Sequence, residues 1–245
     1  MASETPKITL YTNHLCPFAH RAHTTLEELG LPYEQVIIDL QVPREPWYLE
    51  VNPRGLVPSL KYESSKIPST ILTESATVSQ FLVDAHPSRL LPPSSEAPLL
   101  RARINFFVDT FNNKVSSYQR NIAFLEGAEA KEAKAKELVE VIRKEIEPLL
   151  PEAGQGPFFG GSEEFTFAET QVGPFIARLY GYAEHGEHIP KSLIADLEKL
   201  PKFSRYAKAV ISRPTLTKYF PLEGLIEGTR KRIAALKQKE LAAKA

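Results

Sequence analysis

The stretch Ile8-Thr9-Leu10-Tyr11-Thr12-Asn13-His14-Leu15-Cys16-Pro17-Phe18-Ala19-His20-Arg21 decides how this chain is read. Ile8 to Thr12 is a short β-prone run. A turn follows, and Ala19 to Leu29 reads as a helix that Gly30-Leu31-Pro32 stops. Pro17 suits the first turn of a helix, where its missing N–H would have had no partner anyway. Cys16 therefore falls at or just before a helix N-terminus. The partial positive charge and free N–H groups of such an end favour thiolate over thiol and lower the pKa. A thiolate attacks disulfides and electrophiles, whereas a buried cysteine is often inert, and the local pattern alone leaves both readings open.

Cys16 is the only cysteine in 245 residues. An internal disulfide is excluded, and the composition fits a reducing compartment, which makes the cytoplasm the expected location. A two-cysteine redox motif would resolve a mixed disulfide internally, but position 19 is alanine. Disulfide chemistry here has to be monothiol, with an external thiol as resolving partner, and glutathione is the abundant one. His14, His20 and His23 flank Cys16, but without the second cysteine or the carboxylates usual in a closed metal site, so no metal is expected. These histidines and Arg21 read first as exposed helix residues. The functional alternative is that His20 or Arg21 lowers the Cys16 pKa.

Working outward, Tyr33 to Ile38 is a second β-branched stretch and Trp47 to Glu50 a short helical turn. Val57 to Tyr62 and Ile71 to Thr73 are strand candidates, with Glu63-Ser64-Ser65-Lys66 as the hairpin loop between them. Ala76 to Ala85 puts Val78, Phe81, Leu82 and Ala85 on one helical face. The order β-α-β followed by β-β-α has thioredoxin-like grammar. Residues 88–98 read as a proline- and serine-rich linker, and beyond them the strand signal disappears. Leu100, Ile104, Phe107 and Phe111 repeat at helical spacing, and residues 128–150 carry the stripe Leu138, Val141, Ile142 and Ile146. Thr166-Phe167-Ala168-Glu169 is a capping box that opens a helix through Tyr182. Leu193 to Leu200 and Phe203 to Ile211 follow as helices, with Pro201 and Pro214 as breaks and a basic tail from Thr229. The domains expected are residues 1–87, thioredoxin-like α/β, and residues 99–245, all-α.

The formal net charge is zero and no window approaches the ~18 apolar residues of a membrane span. Neither a nucleic-acid nor a membrane partner is expected. The opening residues Met1 to Lys7 hold no apolar run of signal-peptide length.

Five local features, in order, resemble the omega-class glutathione transferases, the fungal ones above all. They are Cys16-Pro17-Phe18-Ala19; Arg44 and Trp47; Asn52-Pro53-Arg54-Gly55-Leu56-Val57-Pro58; Leu72-Thr73-Glu74-Ser75; and the box Thr166 to Glu169. The resemblance implies the cytosolic glutathione transferase fold, a homodimer, Cys16 as catalytic thiol and glutathione as co-substrate. It implies a cis Val57-Pro58 bond that presents the Val57 backbone to the cysteinyl part of glutathione. It also implies that Ser75 and its helix N-terminus hold the γ-glutamyl carboxylate, Glu74 the ammonium and Arg44 the glycine carboxylate, with Phe18 lining the same site. Ser75 as a plain N-cap fits the same sequence. Arg44 stands where the family has lysine, and Arg54 where it often has an apolar residue.

The leading activity is thiol transfer through Cys16. The alternative enzyme conjugates glutathione to a small hydrophobic or electrophilic second substrate, activating the glutathione thiol with a hydroxyl such as that of Tyr11. A non-catalytic protein of similar fold is the third reading. Chloride intracellular channel proteins share the Cys-Pro-Phe motif, but the extended acidic loop they carry is missing here. Phe107, Phe111, Asn112, Tyr118 and Phe175 lie where a second substrate would bind, although their periodicity favours the core.

Overall fold

The computed structural model describes residues 5–244, with side chains described through residue 239. Residues 1–4, on which the reading of the chain's start rests in part, lie outside it. Strand β1 (Lys7–Thr12) leads through the Cys16 turn into helix α1 (Pro17–Glu28), then strand β2 (Glu34–Ile37) and helix α2 (Pro46–Val51). Strands β3 (Ser59–Glu63) and β4 (Thr70–Thr73) form a hairpin, and helix α3 (Ser75–Ala85) closes the unit. The sheet order is β2-β1-β3-β4, with β1 parallel to β2 and the other pairs antiparallel. Leu10 pairs with Leu60, and Leu60 with Leu72, in one register row. Ile8, Leu10, Leu60 and Tyr62 face Ala22 and Leu26 of α1 and Val78 and Leu82 of α3, the period-two alternation of a half-buried sheet.

The second half is helical. Helices α4 (Pro98–Lys114), α5 (Tyr118–Phe124) and α6 (Ala128–Val141) lead into a π turn over Ile142–Ile146 and a 3-10 turn over Glu147–Leu149. The long α7 (Phe167–His185) follows, then α8 (Ser192–Leu197), α9 (Pro201–Ile211), α10 (Pro214–Thr217) and α11 (Leu222–Lys244). Pro201 and Pro214 each separate two helices, standing at the first position of the next, where proline's fixed φ fits. The tail helix begins seven residues before Thr229. Leu138, Ile142 and Ile146 of the apolar stripe are fully buried.

α7 is the axis of this half: every residue from Phe167 to Ala183 is buried. Its capping box is formed. Ala168 N–H donates to Thr166 Oγ1 at 3.2 Å, and Glu169 accepts from Thr166 N–H at 2.7 Å and from Phe159 N–H at 2.9 Å. Gly186, at φ 81°, ends the helix in the left-handed conformation that glycine adopts without penalty. The segment between α3 and α4 is no free tether, since Leu90 and Leu91 are buried in the helical core and Leu90 O accepts from Phe167 N–H.

α1 packs on the sheet and α3 from one side and on α7 from the other. All residues from Ala19 to Leu26 are therefore buried. This overturns the reading of His20, Arg21 and His23 as exposed. A helix covered on two sides has no solvent face, and its polar residues must find internal partners.

Candidate functional site

The turn before α1 is built by Asn13. Its side chain accepts from Leu15 N–H at 2.9 Å and donates to Ile38 O at 2.8 Å, and its carbonyl accepts from Cys16 N–H at 3.0 Å. Cys16 is the N-cap of α1, in extended conformation, with Pro17 at the first helical position. The half-buried thiol points at Val57 O, 3.7 Å away. Burial pushes the Cys16 pKa up, against the N–H groups of Ala19 and Phe18 and the charges of Arg178 and Arg21, which all pull it down. The helix end does pull the pKa down, but desolvation outweighs it. At rest Cys16 is a thiol that donates toward a carbonyl, not a preformed thiolate.

The carbonyl it meets belongs to a pinned loop. Val57-Pro58 is cis. Tyr48 donates to Leu56 O at 2.5 Å, and Asn52 Nδ2 donates to Leu56 O at 2.9 Å and to Ser59 Oγ at 3.1 Å. Gly55 has φ 62°, and a Cβ there would come within 3.0 Å of Arg44 Cγ. Arg44 donates to Gly55 O at 3.0 Å, Asp39 O at 2.6 Å and Val42 O at 2.5 Å. Its guanidinium thus ties two loops together, a use that the sequence does not reveal. Trp47 lies 6.2 Å from Tyr11, ring to ring.

At the end of β4, Glu74 caps α3 and has φ 70°, the one positive φ at a non-glycine among the described residues. Such a backbone costs on the order of 1 kcal/mol and is held by the elements on either side. The Glu74 carboxylate pairs with Arg54, which gives that arginine a partner. Ser75 is the buried first residue of α3 and not its N-cap; its Oγ accepts from Arg21 Nη1 at 3.4 Å.

Arg21 joins the two halves of the molecule. It donates to Gln171 O at 2.8 Å and to Asn112 Oδ1 at 2.5 Å, and its guanidinium lies over the rings of Phe18 and Phe175. Phe18, an exposed residue of α1, stacks edge-on against Phe175 at 5.3 Å. Phe107 and Phe111 are core, as their spacing predicts; Phe175 is buried too but reaches Phe18. His20 Nε2 bonds Leu216 O at 2.8 Å, while its Nδ1 receives Arg178 at 2.9 Å. Burial holds both His20 and His23 neutral, His23 with a pKa of about 3. Sequence reasoning missed Arg178, Tyr48 and Asn13. Tyr48, one residue from Trp47, and Asn13, three before Cys16, lie beside motifs the sequence shows, whereas Arg178 lies in none.

This geometry agrees with relationships found among known proteins. Residues 10–93 match the family model for the glutathione S-transferase N-terminal domain. Pyrimidodiazepine synthase of Drosophila melanogaster is 32% identical over 111 residues, 45% of this chain and 44% of that protein. The chain thus aligns with less than half the length of that relative. Glutathione S-transferase omega-2 of Mus musculus is 29% identical over 190 residues, 75% of this chain and 71% of the mouse protein. The crystal structure of glutathione transferase Omega 2C from Trametes versicolor superimposes with a TM-score of 0.76 at 27% identity, covering 93% of this chain and 99% of that one.

A thioredoxin-like domain with a mixed four-stranded sheet, followed by a helical domain, is the glutathione transferase fold, and the chain has that fold. Both the mouse relative and the Trametes structure are omega-class proteins, and the chain is similar to each along most of its length.

Proposed function

We propose that the protein is a glutathione-dependent thiol transferase with Cys16 as nucleophile. The observation that carries this reading is the placement of the chain's only thiol at the head of α1, 3.7 Å from the Val57 carbonyl. In this reading residues 1–87 hold glutathione and residues 99–245 supply the second-substrate wall. The tripeptide lies along the pinned loop, its cysteinyl backbone pairing with that of Val57 beside Pro58. Its γ-glutamyl carboxylate sits at Ser75 and the N-terminus of α3, where the helix dipole and Arg21 favour an anion. Glu74 takes the ammonium, Arg44 the glycine carboxylate, and Phe18 covers the site.

The chemistry runs in two exchanges. Cys16 loses its proton to solvent and attacks the glutathionyl sulfur of a mixed disulfide R–S–S–G. The S–S bond breaks, RS⁻ leaves and takes up a proton, and Cys16 carries the glutathionyl group. A second glutathione thiolate then attacks that sulfur, releasing glutathione disulfide and restoring the Cys16 thiolate. The sum is RSSG plus GSH giving RSH plus GSSG.

Cys16→Ser is expected to abolish transfer from a small glutathione mixed disulfide, on the order of a thousandfold or more, with the fold intact. Wild-type protein is expected to gain one glutathionyl group by mass when mixed with that substrate. Transfer activity persisting in the serine variant would falsify the mechanism. A gain of conjugation toward a generic electrophile in the same variant would favour the alternative chemistry, for which the Cys16 thiol's bond toward Val57 O is the supporting observation.

A further inference from the structure

Arg178 of α7 is 2% exposed and lies at the seam between the halves. It donates to Pro174 O at 2.9 Å, to His20 Nδ1 at 2.9 Å and to His14 O at 3.0 Å, and its Nε has no partner. His20 donates from Nε2 to Leu216 O, so its Nδ1 is a lone pair and the ring is neutral. Every acceptor of this buried cation is therefore uncharged. Arg21, also buried, has only Gln171 O, Ser75 Oγ, Asn112 Oδ1 and two aromatic faces. Among the described residues no carboxylate pairs with either. Buried guanidinium groups almost always have a counter-ion, because an unpaired interior charge is strongly unfavourable.

The Arg178 contacts bracket the cysteine. His14 lies two residues before Cys16, and His20 lies one turn after it, its N–H bonded to Cys16 O at 3.1 Å. We infer that Arg178 is the buried counter-charge of the Cys16 thiolate, reached across the domain seam, and thus a positioning residue of the thiol-transfer step. This rests on the reading of Cys16 as nucleophile. The attraction of the Cys16 sulfur is the first upward influence on the pKa of Arg178 and the one upward influence on that of Arg21, while burial lowers both to about 10. At rest the thiol donates toward Val57 O. Loss of the proton gives up that bond and creates the anion that the cations lack. The titratable or charged groups around this pair are His20 and Arg21 on α1, His14 in the turn, Tyr11 on β1, Tyr48 on α2, and Tyr182 with Arg178 on α7. None of them is a carboxylate.

The test is the pH dependence of Cys16 alkylation by iodoacetamide in the full chain, where every event reports on the one cysteine. Arg178→Gln and Arg178→Met are expected to raise the midpoint by about one pH unit and to slow alkylation at neutral pH about tenfold. Arg178→Lys, which keeps the charge, is expected to recover most of the shift. An unmoved midpoint in a neutral variant that retains wild-type circular dichroism overturns the inference. Should neither neutral variant fold, the wild-type protein still decides. Its rate ratio of iodoacetate to iodoacetamide is expected to exceed that of free N-acetylcysteine at least about threefold, since a buried cation attracts the anionic reagent. A ratio no higher than the free thiol's overturns the inference. Alkylation needs no glutathione, so wild-type protein that transfers thiols but shows no charge effect sinks only the counter-charge. Protein that shows the charge effect but transfers no thiols sinks the functional reading instead.

Discussion

His23 shows how far a side chain's meaning depends on what covers it. Thr12 Oγ1 lies 2.7 Å from its Nε2 and Tyr33 OH 2.8 Å from its Nδ1, and Tyr33 donates onward to Glu27. That chain places the proton on Nδ1, with Nε2 accepting from Thr12. Burial, with His14 and Lys218 nearby, depresses the pKa to about 3. A histidine held neutral in the fold but free to charge when unfolded stabilises the protein above its unfolded pKa of about 6.5. The contribution is withdrawn as pH falls from there toward 3, and at pH 4.5 about 3 kcal/mol is gone. Thermal unfolding followed from pH 8 to 4.5 is expected to show a steeper loss in the wild type than in His23→Gln, whose amide bonds both neighbours without titrating. Parallel curves would refute the assignment. The sequence shows Cys16 at a helix head and the Glu74-Ser75 junction, because each is a feature of a few adjacent residues, whereas the cis Val57-Pro58 bond is legible only through the family resemblance. It hides the burial of His20, Arg21 and His23, because their cover comes from α7 and from the segment around Leu216 to Tyr219, some 150 to 200 residues further along the chain.

Helix α7 owes its start to four residues that any reader of the chain can find, yet the load on Glu169 shows only in three dimensions. The carboxylate is fully buried, and its two oxygens receive Phe159 N–H, Thr166 N–H and the Thr166 hydroxyl at 2.9, 2.7 and 2.6 Å. Phe159 opens a second 3-10 turn (Phe159–Gly161) ahead of α7, so one side chain both caps the helix and fixes the loop that enters it. Glu169→Ala strands two buried N–H donors and is expected to cost about 3 kcal/mol by urea unfolding. Glu169→Gln keeps the volume but turns an NH2 group toward one of the two backbone donors whichever way the amide is flipped. It is expected to lose at least about 1 kcal/mol, and a neutral result would mean that the carboxylate's acceptors are dispensable. Long periodic elements such as α4 and α6 are legible because a single apolar face sets their phase. The short α5 and the π turn after α6 are not, since their form follows from how neighbouring helices pack.

The two halves meet along α1, and that seam governs how the molecule holds together. Arg213 grips Glu28 with two bonds of 2.7 Å, Thr215 adds a third to the same carboxylate, and the Glu28 side chain is 2% exposed. Lys218 pairs with Glu27, Arg21 reaches Gln171 O, and His20 reaches Leu216 O. Leu29 packs against the cores of both halves, and Leu15 against that of the helical half. Neither half can therefore lose its structure without stranding buried polar groups of the other. Chains of this length often unfold in stages, so this coupling makes a distinct claim. Trp47, the only tryptophan, lies in the first half, whereas far-ultraviolet circular dichroism is dominated by the helices of the second. Urea transitions followed by the two signals are expected to coincide in the wild type. Glu28→Ala leaves Arg213 without its anion and is expected to shift both curves together by about 2 kcal/mol, the half-exposed end of that pair limiting the loss. Curves that separate in the wild type, with tryptophan changing first, would show that the seam does not bind the halves into one cooperative unit.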